Sequence, residues 1–185
     1  YILWVLGLSH IAPNTQLTII VVLAVAVVPR VYLFRRNLAE IKTFARQNWP
    51  VLVAAEVLFV GFFLMWVGII SEAPAINHTE KPMDFGFMNA VLQSRFFPPE
   101  DPWLSGNPIS YYYFGYWMMG GVSELSGVPS NFSYNLSMAL IPAMAAMGIF
   151  GLVAAMIRSE RARWRYAAAG GIVAGIVLGV IGNLE

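Results

Sequence analysis

Apolar runs long enough to cross a bilayer alternate with polar stretches along this chain. The pattern predicts four spanning helices, at about residues 15–34, 51–70, 134–157 and 167–181, each set against the roughly 20 residues that a ~30 Å hydrocarbon core requires. The second starts after Pro50 and is interrupted only by Glu56, an ionisable group within a span and so a candidate for function by default. Residues 1–8 read as the tail of an earlier span closed by the turn signal Ala12-Pro13-Asn14. The chain opens on Tyr1 and stops at Glu185 just after an apolar run, so it reads as a piece of a longer polypeptide. In chain order this gives N-terminal spans over 1–70, a polar loop over 71–130 and C-terminal spans over 131–185.

Composition agrees with that reading. At 58% hydrophobic and 11% charged residues, with a mean hydropathy of +0.65, the chain is too apolar for a water-soluble domain, where about a quarter of positions carry charge. The expected fold is an all-α, polytopic integral membrane bundle whose loop carries short interfacial helices. A net charge of +1 points to no nucleic acid. The absence of cysteine removes thiolate nucleophiles and Cys-ligated metals, and no Gly-rich phosphate loop, zinc-ligand pair or nucleophile elbow is present.

Charge distribution sets the orientation. Arg30, Arg35, Arg36, Lys42 and Arg46 surround one connection and Arg158, Arg161, Arg163 and Arg165 another, nine of the eleven basic residues. The positive-inside tendency puts both connections in the cytoplasm of a plasma or inner membrane and the intervening loop outside. That loop holds Glu72, Glu80, Asp84, Glu100, Asp101 and Glu124, six of the ten acidic residues. A further crossing at 109–122 would put one basic cluster outside, so this aromatic stretch is expected to be interfacial or re-entrant, with Tyr111, Tyr112, Tyr113, Tyr116 and Trp117 at headgroup level.

Within the loop, Pro82 suits a first helical turn, and Phe85, Met88 and Leu92 line one face of a short helix. Phe96-Phe97-Pro98-Pro99 ends it, because a helix cannot run comfortably into two prolines. Glu80 and Asp84 are four residues apart and share a helix face. Asp101-Pro102 and Gly106-Asn107-Pro108 mark turns. In the fourth predicted span Gly171, Gly175 and Gly179 form a small-residue stripe that permits close helix approach and packing with other membrane helices or subunits.

The runs EKPMDFGFMNA (80–90), FPPEDPWLSG (97–106), YYYFG (111–115) and YNL (134–136) resemble the uncharacterised membrane-protein family named for its YYY motif, domain of unknown function 2298. The resemblance covers roughly residues 52–185, and members of that family are longer and have many spans. The family in turn is similar to GT-C-fold glycosyltransferases, whose first external loop carries an acidic motif followed by a surface helix. That resemblance implies Asp84 in the place of the acidic-motif Asp, and Asp101-Pro102-Trp103 in the place of an Asp-Trp element. It puts Tyr111 to Trp117 beside a lipid-phosphate pocket. This sequence departs from the pattern at Phe85, where those enzymes carry a second carboxylate, and no Lys stands near the tyrosines.

Transfer of a sugar from a polyprenyl-phosphate donor requires a base for the acceptor hydroxyl and stabilisation of the leaving phosphate. The candidates for catalysis are, in order, Asp84, Asp101 and Glu80. A divalent metal held by Asp84 or Asp101, or the cations Lys81 and Arg95, would offset charge on the phosphate. Trp103, Tyr111, Tyr112 and Tyr113 complete the expected substrate-binding set. Each has a structural alternative: Asp84 as a favourable charge at a helix N-terminus, Asp101 as a turn former, and the tyrosines as an aromatic belt among membrane lipids. The competing reading of the whole is a non-catalytic membrane subunit or scaffold packed into a larger assembly.

Overall fold

The computed structural model describes residues 1–159 and 164–177. Helices take 76% of the described residues and no strand forms among them, so the fold is all-α. The chain folds as two compact units that interleave in sequence: Tyr1–Leu33 with Pro74–Asn135, and Phe34–Ala73 with Leu136–Glu185. Among the described residues seven helices follow one another: α1 (Ile2–Leu8), α2 (Gln16–Arg36), α3 (Leu38–Glu72), α4 (Lys81–Gln93), α5 (Phe114–Ser126), α6 (Ser130–Ser159) and α7 (Trp164–Ile176). Of these, three have the length and apolar character to cross a membrane: Gln16–Arg36, Leu38–Glu72 and Ser130–Ile157. Of the fourth expected span, the end at 178–181 lies outside the described residues, as does Gly179.

The main departure from the pattern is at Pro50. The hydropathy pattern starts a span there, whereas α3 begins at Leu38 and runs through Pro50, so the basic stretch 42–46 is helical too. Proline removes one backbone donor and crowds the carbonyl four residues back, but within long apolar helices such a defect is tolerated. Upstream, the amide of Asn48 donates to the Phe44 carbonyl at 2.7 Å, so this polar residue is satisfied inside its own helix. Pro29 and Pro142 likewise lie inside α2 and α6. Glu56 is exposed on α3.

The second unit is built from α3, the body of α6 and α7. Leu58 and Phe62 of α3 pack with Ala143, Ala146, Phe150 and Ala154 of α6 and Ala167 of α7. Close approach comes from the glycines of α7. A Cβ on Gly171 would come within 2.8 Å of the Phe150 carbonyl oxygen, and one on Gly175 within 2.7 Å of Leu58 and 3.1 Å of the Ala146 carbonyl oxygen. Two of the three stripe glycines therefore face helices of this same chain.

In the first unit, Leu3, Ile19, Val91, Phe97 and Trp117 form the core, with Trp4, Tyr113 and Leu125 against it. The ring of Phe97 lies over Gly7, where a Cβ would be 2.4 Å from Phe97 Cδ2, and the Phe97 N–H donates to the Gly7 carbonyl. Asn14 closes α4: its side-chain amide donates to the Val91 and Ser94 carbonyls at 2.9 and 3.3 Å, and its backbone N–H donates to that of Arg95 at 2.7 Å. These orphan carbonyls at the helix end thus gain partners from 77 and more residues away in sequence. Helix α5, at 13 residues or about 20 Å, is too short to cross a bilayer. It begins at Phe114, so Ile109 to Tyr113 of the expected interfacial segment precede it as irregular chain.

Candidate functional site

Helix α4 carries the site. Its N-terminus is set by Pro82 in the first turn, where a missing backbone donor costs nothing, and the Asp84 N–H donates to the Glu80 carbonyl at 3.0 Å. That bond gives the two carboxylates the helical spacing expected of them. Glu80 is exposed, whereas Asp84 is half-buried. Neighbouring Phe87 is buried and receives three rings: Trp103 edge-on at 5.4 Å, Tyr111 stacked at 5.5 Å and Tyr116 at 5.9 Å.

One tyrosine hydroxyl bonds Asp84 and a second lies near it. Tyr116, in the first turn of α5, donates to Asp84 Oδ1 at 2.5 Å, and Tyr134 lies close to this carboxylate. Tyr134 is almost fully buried and packs edge-on against Phe85. The turn between α5 and α6 fixes its position. Gly127 closes α5 at φ +68, a left-handed value suited to glycine. Ser123 Oγ donates to the Val128 carbonyl at 2.7 Å, and Ser133 Oγ donates to Ser123 Oγ at 2.9 Å. Residue 134 is thereby set beside α4. Asn135 next to it donates to the Pro74 carbonyl at 3.0 Å. The YNL run thus supplies a neighbour of Asp84 and one tie to the start of the loop.

The triple tyrosine divides into two roles. Tyr111 and Tyr112 are exposed and stacked at 3.9 Å, with the Tyr111 hydroxyl donating to that of Tyr112 at 2.5 Å. That bond, with nearby Glu80 and Asp84 adding to it, pushes the Tyr111 hydroxyl up to about 12. Burial first, then the hydrogen bond to Asp84, raises Tyr116 well above the ordinary phenol range. Tyr113 instead turns to the core beside Phe97, and burial raises its hydroxyl as well.

Asp101 has a different environment. Its Oδ1 accepts the backbone N–H groups of Trp103 and Leu104 at 2.8 and 3.1 Å, an Asx turn. The loop is closed by Asp101 N–H to the Asn107 carbonyl at 2.8 Å and Ile109 N–H to the Pro99 carbonyl at 2.9 Å. Asp101 and Arg95 line a cavity of about 760 Å³ between the face Gly86, Asn89 and Gln93 of α4 and the segment that follows it, and Asp84 is not in its wall. Trp103 covers Gly86, where a Cβ would come within 2.5 Å of the indole. Lys81 is half-buried in the first turn of α4. For the divalent metal expected on Asp84 or Asp101 the donor set is sparse: one oxygen of each is already bonded, and among the described residues no three carboxylate or imidazole side chains group together.

Tyr116 and Tyr134 are the neighbours that the pattern of the chain did not single out for Asp84. The signal was present only in their separation from the acidic motif by 32 and 50 positions, which becomes proximity through the α5–α6 turn.

The apolar faces of the long helices, such as Leu17, Val21, Val25 and Val28 of α2, are exposed as surfaces for membrane lipid. Comparison with curated proteins and with solved structures finds no match. A family model described as uncharacterised membrane protein (DUF2298) matches residues 1–185. With apolar spanning helices and a match over its whole length, this chain belongs to the DUF2298 family of integral membrane proteins.

Proposed function

We propose that the protein carrying this chain transfers a sugar from a polyprenyl-phosphate donor to an acceptor hydroxyl at the external face of the membrane, with Asp84 as the base. The observation that carries this reading is the half-buried Asp84 carboxylate, held by the Tyr116 hydroxyl, with Tyr134 close by, beside the exposed Tyr111–Tyr112 pair. A hydroxyl donor on one carboxylate oxygen fixes its orientation and leaves acceptor capacity for a further proton donor. In the reaction the acceptor O–H gives its proton to Asp84 as its oxygen forms a bond to the anomeric carbon. The bond from that carbon to the phosphate oxygen breaks, and the electron pair leaves with the polyprenyl phosphate. One carboxylate suffices for such an inverting displacement, so Phe85 in the place of a second acid is compatible with it. Tyr112, whose oxygen accepts from Tyr111, keeps its own proton to donate to the leaving phosphate. The clustering of basic residues in the two other connections, read by the positive-inside tendency, supports an external site.

The test is transfer of radiolabelled sugar from a panel of polyprenyl-phosphate sugars by the full-length protein in membranes. Loss of ~10²–10⁴-fold in rate is expected for Asp84→Asn, the range of a general base. Transfer at the wild-type rate by that variant would overturn the assignment.

A further inference from the structure

The cavity beside α4 is distinct from the Asp84 cluster and has its own chemistry. Gln93, Arg95 and Glu100 line it and are exposed, and among the described residues the opposite charges of Arg95 and Glu100 form no ion pair with each other. Arg95 lies over the Phe96 ring at 5.4 Å. Asn89 spends its N–H on the Phe85 carbonyl at 2.8 Å, which leaves its amide oxygen to accept. Asp101 likewise has one oxygen in the Asx turn and one unspent. Gly86 is part of the wall, with the Trp103 indole packed where its Cβ would stand.

Such a wall mixes donors and acceptors that are not used up on one another. One cation against two carboxylates disfavours a phosphate or another anion. A neutral polyol fits, since each pair of neighbouring hydroxyls can donate to a carboxylate while accepting from a guanidinium or amide. The volume lies within the range of roughly 300–1,000 Å³ typical of small-molecule sites.

We infer that this cavity is a carbohydrate site that seats a hexose-sized neutral sugar. The inference deepens the proposed transfer reaction and rests on it for the sugar's role there, while binding itself needs no turnover.

The experiment is saturation-transfer NMR on the full-length protein in detergent micelles, with the methyl glycosides of glucose, mannose and galactose as probes. Saturable binding of at least one is expected, at ~1–10 mM. Glu100→Gln and Gln93→Ala, both at exposed positions, should each weaken it by ~10-fold or more, about the worth of a hydrogen bond to a charged or polar partner. Absence of saturable binding for all three probes, or equal binding by wild type and both cavity variants, would overturn the inference. Binding of inorganic phosphate in place of the glycosides would also overturn it. Glycoside binding without any transfer would sink the transfer reading alone, and transfer without glycoside binding would sink the carbohydrate site alone.

Discussion

Replacing Gly7 by alanine tests the packing that holds the loop to the first unit. The new methyl would be 2.4 Å from Phe97 Cδ2 and 2.8 Å from Cε2, so the ring must retreat by about 1 Å to reach ordinary carbon contact. Phe97 has little room to do so. It is 1% exposed, packs in the core with Leu3, Ile19, Val91 and Trp117, and has its own N–H bonded to the Gly7 carbonyl. Overpacking of this kind costs ~1–3 kcal/mol, and the better helix propensity of alanine returns up to ~1 kcal/mol. The net expectation for Gly7→Ala is a loss of ~1–2 kcal/mol. Thermal unfolding of the purified protein in a fixed detergent reads it, in wild type and in a Phe97→Leu background. In that background the penalty should fall below ~0.5 kcal/mol, because contacting residues couple. A wild-type melting temperature for Gly7→Ala, or an undiminished penalty beside Phe97→Leu, would refute the packing argument.

In α7, Gly171→Ala should destabilise by ~1–3 kcal/mol because the obstruction at 2.8 Å is the backbone oxygen of Phe150. Gly61→Ala, with nothing within 4 Å, should be neutral or stabilising, and equal melting of the two variants would contradict the close-approach reading. Asp101→Ala removes the acceptor of two backbone N–H groups. Hydrogen exchange at Trp103 and Leu104 should therefore accelerate by ~10-fold, with no change there counting against the Asx turn. Tyr116 is expected to ionise last among the accessible tyrosines when tyrosinate absorbance is followed with rising pH, and Tyr116→Phe should remove that late step. The sign follows from its raised folded-state value. Its contribution to stability is complete below the ordinary phenol pKa of about 10 and is lost as pH climbs beyond it. Tyr116 ionising with the bulk of the tyrosines would show that its hydroxyl is not held by Asp84.

Much of the fold was legible in the hydrophobic pattern, since spans need long apolar runs and those runs contain little else. The patterns at 15–34 and 134–157 correspond to α2 and α6 within a few residues, and Pro82 and the double proline at 98–99 bracket α4 as expected. Pro50 misled because proline marks an end only where a helix has nothing to compensate it, whereas α3 continues upstream to Leu38. Within the site, the Glu80–Asp84 register followed from helical spacing alone. The neighbours of Asp84 did not, because Tyr116 and Tyr134 reach it only through the α5–α6 turn and its buried serines. Tyr111, Tyr112 and Tyr113 looked equivalent as a triplet. Only tertiary packing sends the third to the core and leaves the first two beside Asp84.

The central claim is that Asp84 is the reacting carboxylate and Asp101 a loop former. Its most direct test is the rate of sugar transfer by the Asp84→Asn and Asp101→Asn variants of the full-length protein, measured side by side at equal expression in the same membranes. The account predicts a loss of ~10²-fold or more for Asp84→Asn and a change within ~10-fold for Asp101→Asn, whose amide oxygen still accepts the two N–H groups. Equal losses in both variants, or a greater loss at Asp101, would contradict it.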